Sequence, residues 1–164
     1  MGRSQERIDC RRQSNGRLAT MSGIELPRRY PLTISGECFC GAVTYEVSGK
    51  LRDARSCHCS RCRKAFSSQA SAYALVDPLE FNWLTGEDLL TSYIGEYGAG
   101  LRFCSKCGST LCGIVDGDVH GVTLGCIDGD PDIEIGRHIF VGSKAPWEVI
   151  PEGVMTFEEG PPSS

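Results

Sequence analysis

From Gly36 onward, apolar and polar positions alternate in short runs and not at a helical spacing. Val43, Tyr45 and Val47 are separated by Thr44 and Glu46, the two-residue period of a half-buried strand. Ser71–Val76, Glu80–Leu84 and Leu89–Ile94 read as further strands. Thr110–Val115 and Val119–Leu124 flank Asp116-Gly117-Asp118, a hairpin turn by composition, and Asp128-Gly129-Asp130 marks another turn. No window longer than about twelve residues keeps a helical period, so a short helix after Cys59 or near Trp147 is the most the pattern allows. There is no internal repeat. The expectation is an all-β domain over 34–159. It carries an N-terminal extension, 1–33, and a flexible tail, 160–164, with fraying from Glu158 onward.

Length and composition agree with one soluble globular domain: 164 residues, 40% apolar and 23% charged. No apolar run approaches the roughly 18 residues that span a membrane. The Arg-rich start has no apolar stretch behind it, so it does not read as a secretory signal. The net charge of −4 is uneven. Residues 1–35 hold seven arginines against Glu6, Asp9 and Glu25, a local charge of +4 that leaves −8 on the remainder. An acidic body argues against nucleic acid as a partner. The basic head reads as a dispensable extension, with Met21 an alternative start. A nucleic-acid arm and a mitochondrial transit peptide are the weaker alternatives.

Ten cysteines change the picture. They are about 6% of the chain, below the roughly 8–10% of small disulfide scaffolds. Without a secretion signal the expected compartment is the reducing cytoplasm, where clustered cysteines read as metal ligands. Cys38-Phe39-Cys40-Gly41 and Cys104-Ser105-Lys106-Cys107-Gly108 both end in Cys-Gly. A glycine there lets the backbone turn with positive φ, so that amides point at sulfur. Two such turns face to face supply four sulfurs, a closed tetrahedral zinc site. Closing the 66-residue separation opposes this by about 3.7 kcal/mol, against roughly 10–16 kcal/mol from a structural zinc. The alternative is a pair of independent thiol turns.

Cys57-His58-Cys59-Ser60-Arg61-Cys62 is different, with three cysteines in one tight turn and Arg63 after it in place of glycine. Three thiolates can hold one zinc and leave a fourth position open for water or substrate. His58 is an alternative fourth ligand, though a residue between two ligands normally points away. A merged seven-cysteine cluster, or a turn completed by a distant residue, is the other alternative. Arg52, Arg55, Arg61, Arg63 and Lys64 crowd this turn, where cations favour thiolate and can hold a substrate's carboxylates. Cys10, Cys112 and Cys126 match neither set, and Cys112 and Cys126 read as small core residues. His120 and His138 have no motif partner, and Trp147 reads as a packing anchor.

Three cysteine motifs occur in fixed order: Cys38-x-Cys40-Gly41, Cys57-His58-Cys59-x-x-Cys62-Arg63-Lys64 and Phe103-Cys104-x-x-Cys107-Gly108. The run His138-Ile139-Phe140-Val141-Gly142-Ser143-Lys144-Ala145-Pro146-Trp147 follows them. Together they resemble the glutathione-dependent formaldehyde-activating enzyme family, which shares a domain with centromere protein V. The resemblance covers about Ile34 to Glu159. It implies an all-β, tent-like fold of the Mss4-like kind. It implies a structural zinc on Cys38, Cys40, Cys104 and Cys107. It also implies a second, exchangeable zinc on Cys57, Cys59 and Cys62, to which glutathione's thiol binds. The implied activity joins glutathione and formaldehyde into S-(hydroxymethyl)glutathione, a carbon–sulfur lyase reaction in reverse, with Arg61 or Lys64 orienting a glutathione carboxylate. The stretch Ala65-Phe66-Ser67-Ser68 departs from the family pattern, which has a glycine here. Two other readings stand beside the enzyme: a non-catalytic thiol or adduct carrier, separated from it by turnover, and a zinc-stabilised interaction module, disfavoured by the open three-cysteine turn.

Overall fold

The computed structural model describes residues 33–161. The rest of the expected extension, with Met21 and Cys10, lies outside the described residues, as do 162–164 of the tail. The strands are β1 (Ile34–Glu37), β2 (Thr44–Val47), β3 (Arg52–Cys57), β4 (Ser71–Leu75), β5 (Phe81–Thr85) and β6 (Leu90–Ile94). They continue as β7 (Ala99–Cys104), β8 (Thr110–Val115), β9 (Asp118–Thr123), β10 (Arg137–Ile139) and β11 (Thr156–Phe157). One α-helix, α1 (Ser60–Phe66), follows Cys59. The all-β expectation holds, and among the described residues no helix is long and apolar enough to cross a membrane.

Two sheets form. β1, β2 and β5 make a three-stranded antiparallel sheet, and the other eight strands pair in the order β11-β10-β3-β4-β9-β8-β7-β6. Val43, Tyr45 and Val47 are fully buried, as their alternation requires. Tyr45 stacks on Phe81 at 5.2 Å between ring centres and meets Trp83 edge-on at 5.9 Å. From the larger sheet, Ala74, Leu111, Ile114 and Val122 join the same core. Asp116 and Gly117 both take positive φ (51° and 95°) and close the β8–β9 hairpin, the form that two-residue turns adopt between right-twisted strands.

β10 breaks the antiparallel pattern. It runs parallel to β3 on one side and to β11 on the other, and so brings the C-terminal segment beside the Cys57 turn. Glu158 and Glu159 do not fray. Their carbonyls accept from the amides of Gly142 (3.3 Å) and Phe140 (2.9 Å). Trp147 is no packing anchor: it is 74% exposed, because Ala145 and Glu148 take the inward positions of that turn. No helix forms around it.

Candidate metal centres

The first cysteine set is assembled from two matching turns. Cys38 and Cys40 lie just after β1, where Gly41 takes φ +69° and its amide donates to the Cys38 carbonyl at 2.8 Å. Cys104 ends β7, where Gly108 takes φ +79° and its amide donates to the Cys104 carbonyl at 2.8 Å. The Val43 amide donates to Cys38 Sγ at 3.3 Å, and the Phe39 amide to Ser109 Oγ at 2.9 Å, which ties the turns together. All four sulfurs lie within 4.8 Å of one another, with Cys38 and Cys40 Sγ 3.5 Å apart. A tetrahedral zinc with bonds near 2.3 Å needs sulfurs about 3.8 Å apart, so the donor set fits that ion.

Cys57, Cys59 and Cys62 form a second, separate set, again with sulfurs within 4.8 Å of one another. Cys57 ends β3, Cys59 is the N-cap of α1, and Cys62 lies in the helix's first turn. The Cys62 amide donates to Cys59 Sγ at 3.3 Å, as a capping side chain requires. The Cys62 thiol is drawn down to about 6, chiefly by a hydrogen bond from Cys57, against the opposing effect of burial and with help from the Arg61 charge. Cys57 is correspondingly raised. Among the described residues no His, Asp or Glu joins either set, and the two sets do not merge. Each cluster can hold a metal ion.

His58 is not a ligand in this arrangement. Its amide donates to the Ile139 carbonyl at 2.9 Å and its side chain is buried. Nδ1 lies 2.7 Å from Glu148 Oε1, and Nε2 lies 2.9 Å from His138 Nδ1. Ile139 faces Cys57 in the β10–β3 pairing, so His138, one residue earlier, turns to the opposite face of the strand. This Glu–His–His string, with Glu148 and His58 buried and His138 half-buried, backs the turn from behind. Glu148 carries no local sequence signal; a lone acid beside Pro146-Trp147 reads as surface.

The open cluster lines a groove of about 1000 Å³. Arg61 and Lys64 line it, no carboxylate does, and neither cation is ion-paired among the described residues. The other arginines of the basic crowd are engaged elsewhere or outside the groove. Arg55 pairs with Asp53 and lies over the Tyr73 ring, and Arg63 donates to the Ser143 carbonyl at 3.1 Å. Arg52 stays exposed at the start of β3. Burial holds the Tyr73 hydroxyl above its ordinary value, so it stays a phenol.

The model of the family described as glutathione-dependent formaldehyde-activating enzyme matches residues 33–143. The chain belongs to this family. All seven clustered cysteines and both groove cations fall inside the match, whereas Glu148 and β11 lie beyond it. A solved structure of a Rhodobacter sphaeroides protein is similar at 26% identity and a TM-score of 0.47, over 75% of this chain and 98% of that one. Comparison with curated proteins gave no match.

Proposed function

We propose that the chain joins a small thiol to an aldehyde, with glutathione and formaldehyde the family's pair. Zinc would be held by Cys38, Cys40, Cys104 and Cys107 as a structural ion and by Cys57, Cys59 and Cys62 as an exchangeable one. Zinc in a three-thiolate set supplies Lewis acidity and favours the thiolate form of a thiol completing its shell. One observation carries the reading: an incomplete ligand set opens onto a groove whose two cations have no ion-pair partner, and which has no lining carboxylate, among the described residues, in a chain of net charge −4. Arg61 and Lys64 would hold the carboxylates of the thiol, Arg61 in a two-pronged grip and Lys64 as a point charge. The walls would exclude water, and Tyr73 or Lys64 would donate a proton to the oxygen of the adduct.

Among the described residues the groove offers no imidazole or carboxylate as a base, which favours a second reading, a carrier of the adduct. Both readings meet one experiment. Adduct formation is followed above the uncatalysed rate, together with metal content, for the parent and for Cys59→Ser. An enzyme loses one metal per chain and its rate enhancement together. No enhancement in a fully loaded parent that binds the adduct assigns the carrier. A Cys59→Ser chain with both metals removes Cys59 from the ligands.

A further inference from the structure

Formaldehyde has one carbon and needs almost no pocket, yet the groove beside Cys57, Cys59 and Cys62 holds about 1000 Å³. That is the upper end of the range for ligands of drug size. Its lining sets two cations among apolar side chains. Beside Arg61 and Lys64 the walls are Phe66, Tyr73, Tyr93, Leu101, Phe103 and Phe140, with the Arg61 guanidinium and the Tyr93 ring both close to Gly95. Leu101 and Phe103 are alternate residues of β7 and share a face. Tyr93 of β6 stands directly across from Leu101, so the two strands present one continuous apolar wall. Tyr93 is 61% exposed, and Phe66 and Phe140 are only half-buried. Aromatic side chains left open together along one concavity mark a surface that gains by being covered. Glutathione carries two carboxylates and an amine, and its carboxylates match Arg61 and Lys64. Neither glutathione nor formaldehyde has anything to place against the aromatic walls.

We propose that the groove selects an aldehyde bearing an aryl or medium-length alkyl group, an inference that rests on the thiol–aldehyde reading above. The thiol sulfur forms a bond to the carbonyl carbon, the C=O π pair moves to oxygen, and the thiol's proton ends on that oxygen. The product is an S-(1-hydroxyalkyl) or S-(hydroxy(aryl)methyl) adduct, with the hydroxyl on the former carbonyl carbon, and no electron acceptor enters the balance. The carboxylates of the thiol lie toward Arg61 and Lys64, and the aldehyde's apolar group covers Tyr93, Leu101 and Phe66.

Titration calorimetry on the zinc-loaded full chain tests this with S-benzylglutathione and S-methylglutathione, stable thioethers that differ only in the group offered to the walls. S-benzylglutathione is expected to bind at least about tenfold tighter. Tyr93→Ser and Phe66→Ala, at exposed and half-exposed positions, are each expected to shrink that preference to below about threefold with unchanged circular dichroism. Equal affinities in the parent, or a preference that neither variant reduces, overturn the apolar-group assignment. In that event glutathione binding and formaldehyde turnover by the same preparation leave the thiol–aldehyde reading standing. A chain that binds neither conjugate nor glutathione overturns both.

Discussion

Ser67 takes φ 48° and ψ 41° at the end of α1, and its amide reaches back to the Arg63 carbonyl. This is the left-handed helix-terminating position that favours glycine, and it falls in the stretch where the sequence lacks the glycine expected of the family. Ser67→Gly is therefore expected to stabilise the chain by about 0.5–1 kcal/mol, measured by thermal melting. A lower melt would mean that the serine side chain makes a contact worth more than the strain. Cys112 was legible as a core residue because it interrupts an apolar run. It is fully buried, and burial pushes its thiol up to about 12. Native iodoacetamide labelling at pH 8 should leave Cys112 unmodified, whereas labelling in denaturant should reach it. Modification in the native chain would place the β7–β8–β9 sheet in frequent opening. The seven clustered cysteines were legible for a local reason, since Cys-Gly turns and a three-cysteine turn each lie within a few residues. His138 and Glu148 were not. They meet His58 from 80 and 90 residues away in sequence, and no spacing rule connects such partners.

At the scale of elements, the strands that showed in the sequence did so by alternation or as apolar runs between turn residues, and β5 and β6 showed without having a buried face. β2 alternates strictly, while β8 and β9 are read from their apolar runs and the turn between them. β3 did not show, because Asp53 takes φ 51° and the β3–β4 register shifts between Arg52 and Arg55, which breaks the two-residue period. β7 did not show because its residues are mostly half-buried, with no polar face to set against an apolar one. The two cysteine sets likewise differ by element. The first joins the end of β1 to the end of β7, and the second lies within one strand–helix junction. Cys107→Ser should abolish the cooperative thermal transition, since a structural zinc at roughly 10–16 kcal/mol rivals the whole 5–15 kcal/mol stability of a domain. Cys59→Ser should keep most of it, since it closes almost no loop. Equal melts for the two variants would refute the division into a structural and an exchangeable site.

For the molecule as a whole, the same division predicts two phases of metal loss. Titration with a chelator should remove one zinc per chain with little change in circular dichroism, and the second only with unfolding. A single phase, with structure lost in step with the first ion, would mean that the groove and the core share one cooperative unit. The core itself closes within the described residues, both sheets contributing to one cluster. A chain begun at Met21 is accordingly expected to melt like the full-length protein and to bind as much metal. A large fall in either would place residues 1–20 against the body.

The parallel seating of β10 also sets an order of maturation. On the ribosome the Cys57–Cys62 turn emerges well before the strand that flanks it and the carboxylate that backs it. Glu148 is synthesised 86 residues after Cys62, roughly 4–17 s later at 5–20 residues per second. During that interval β4 can pair with β3 at Cys57, but β10 and Glu148 are absent and the partners of Cys38 and Cys40 are also still to come. If Cys57, Cys59 and Cys62 hold the exchangeable ion proposed above, the nascent chain is expected to meet metal there first, before β10 and Glu148 arrive to back the turn. A message truncated between Cys107 and Arg137 would make a protein with all seven sulfurs but without the strand and the carboxylate that flank three of them.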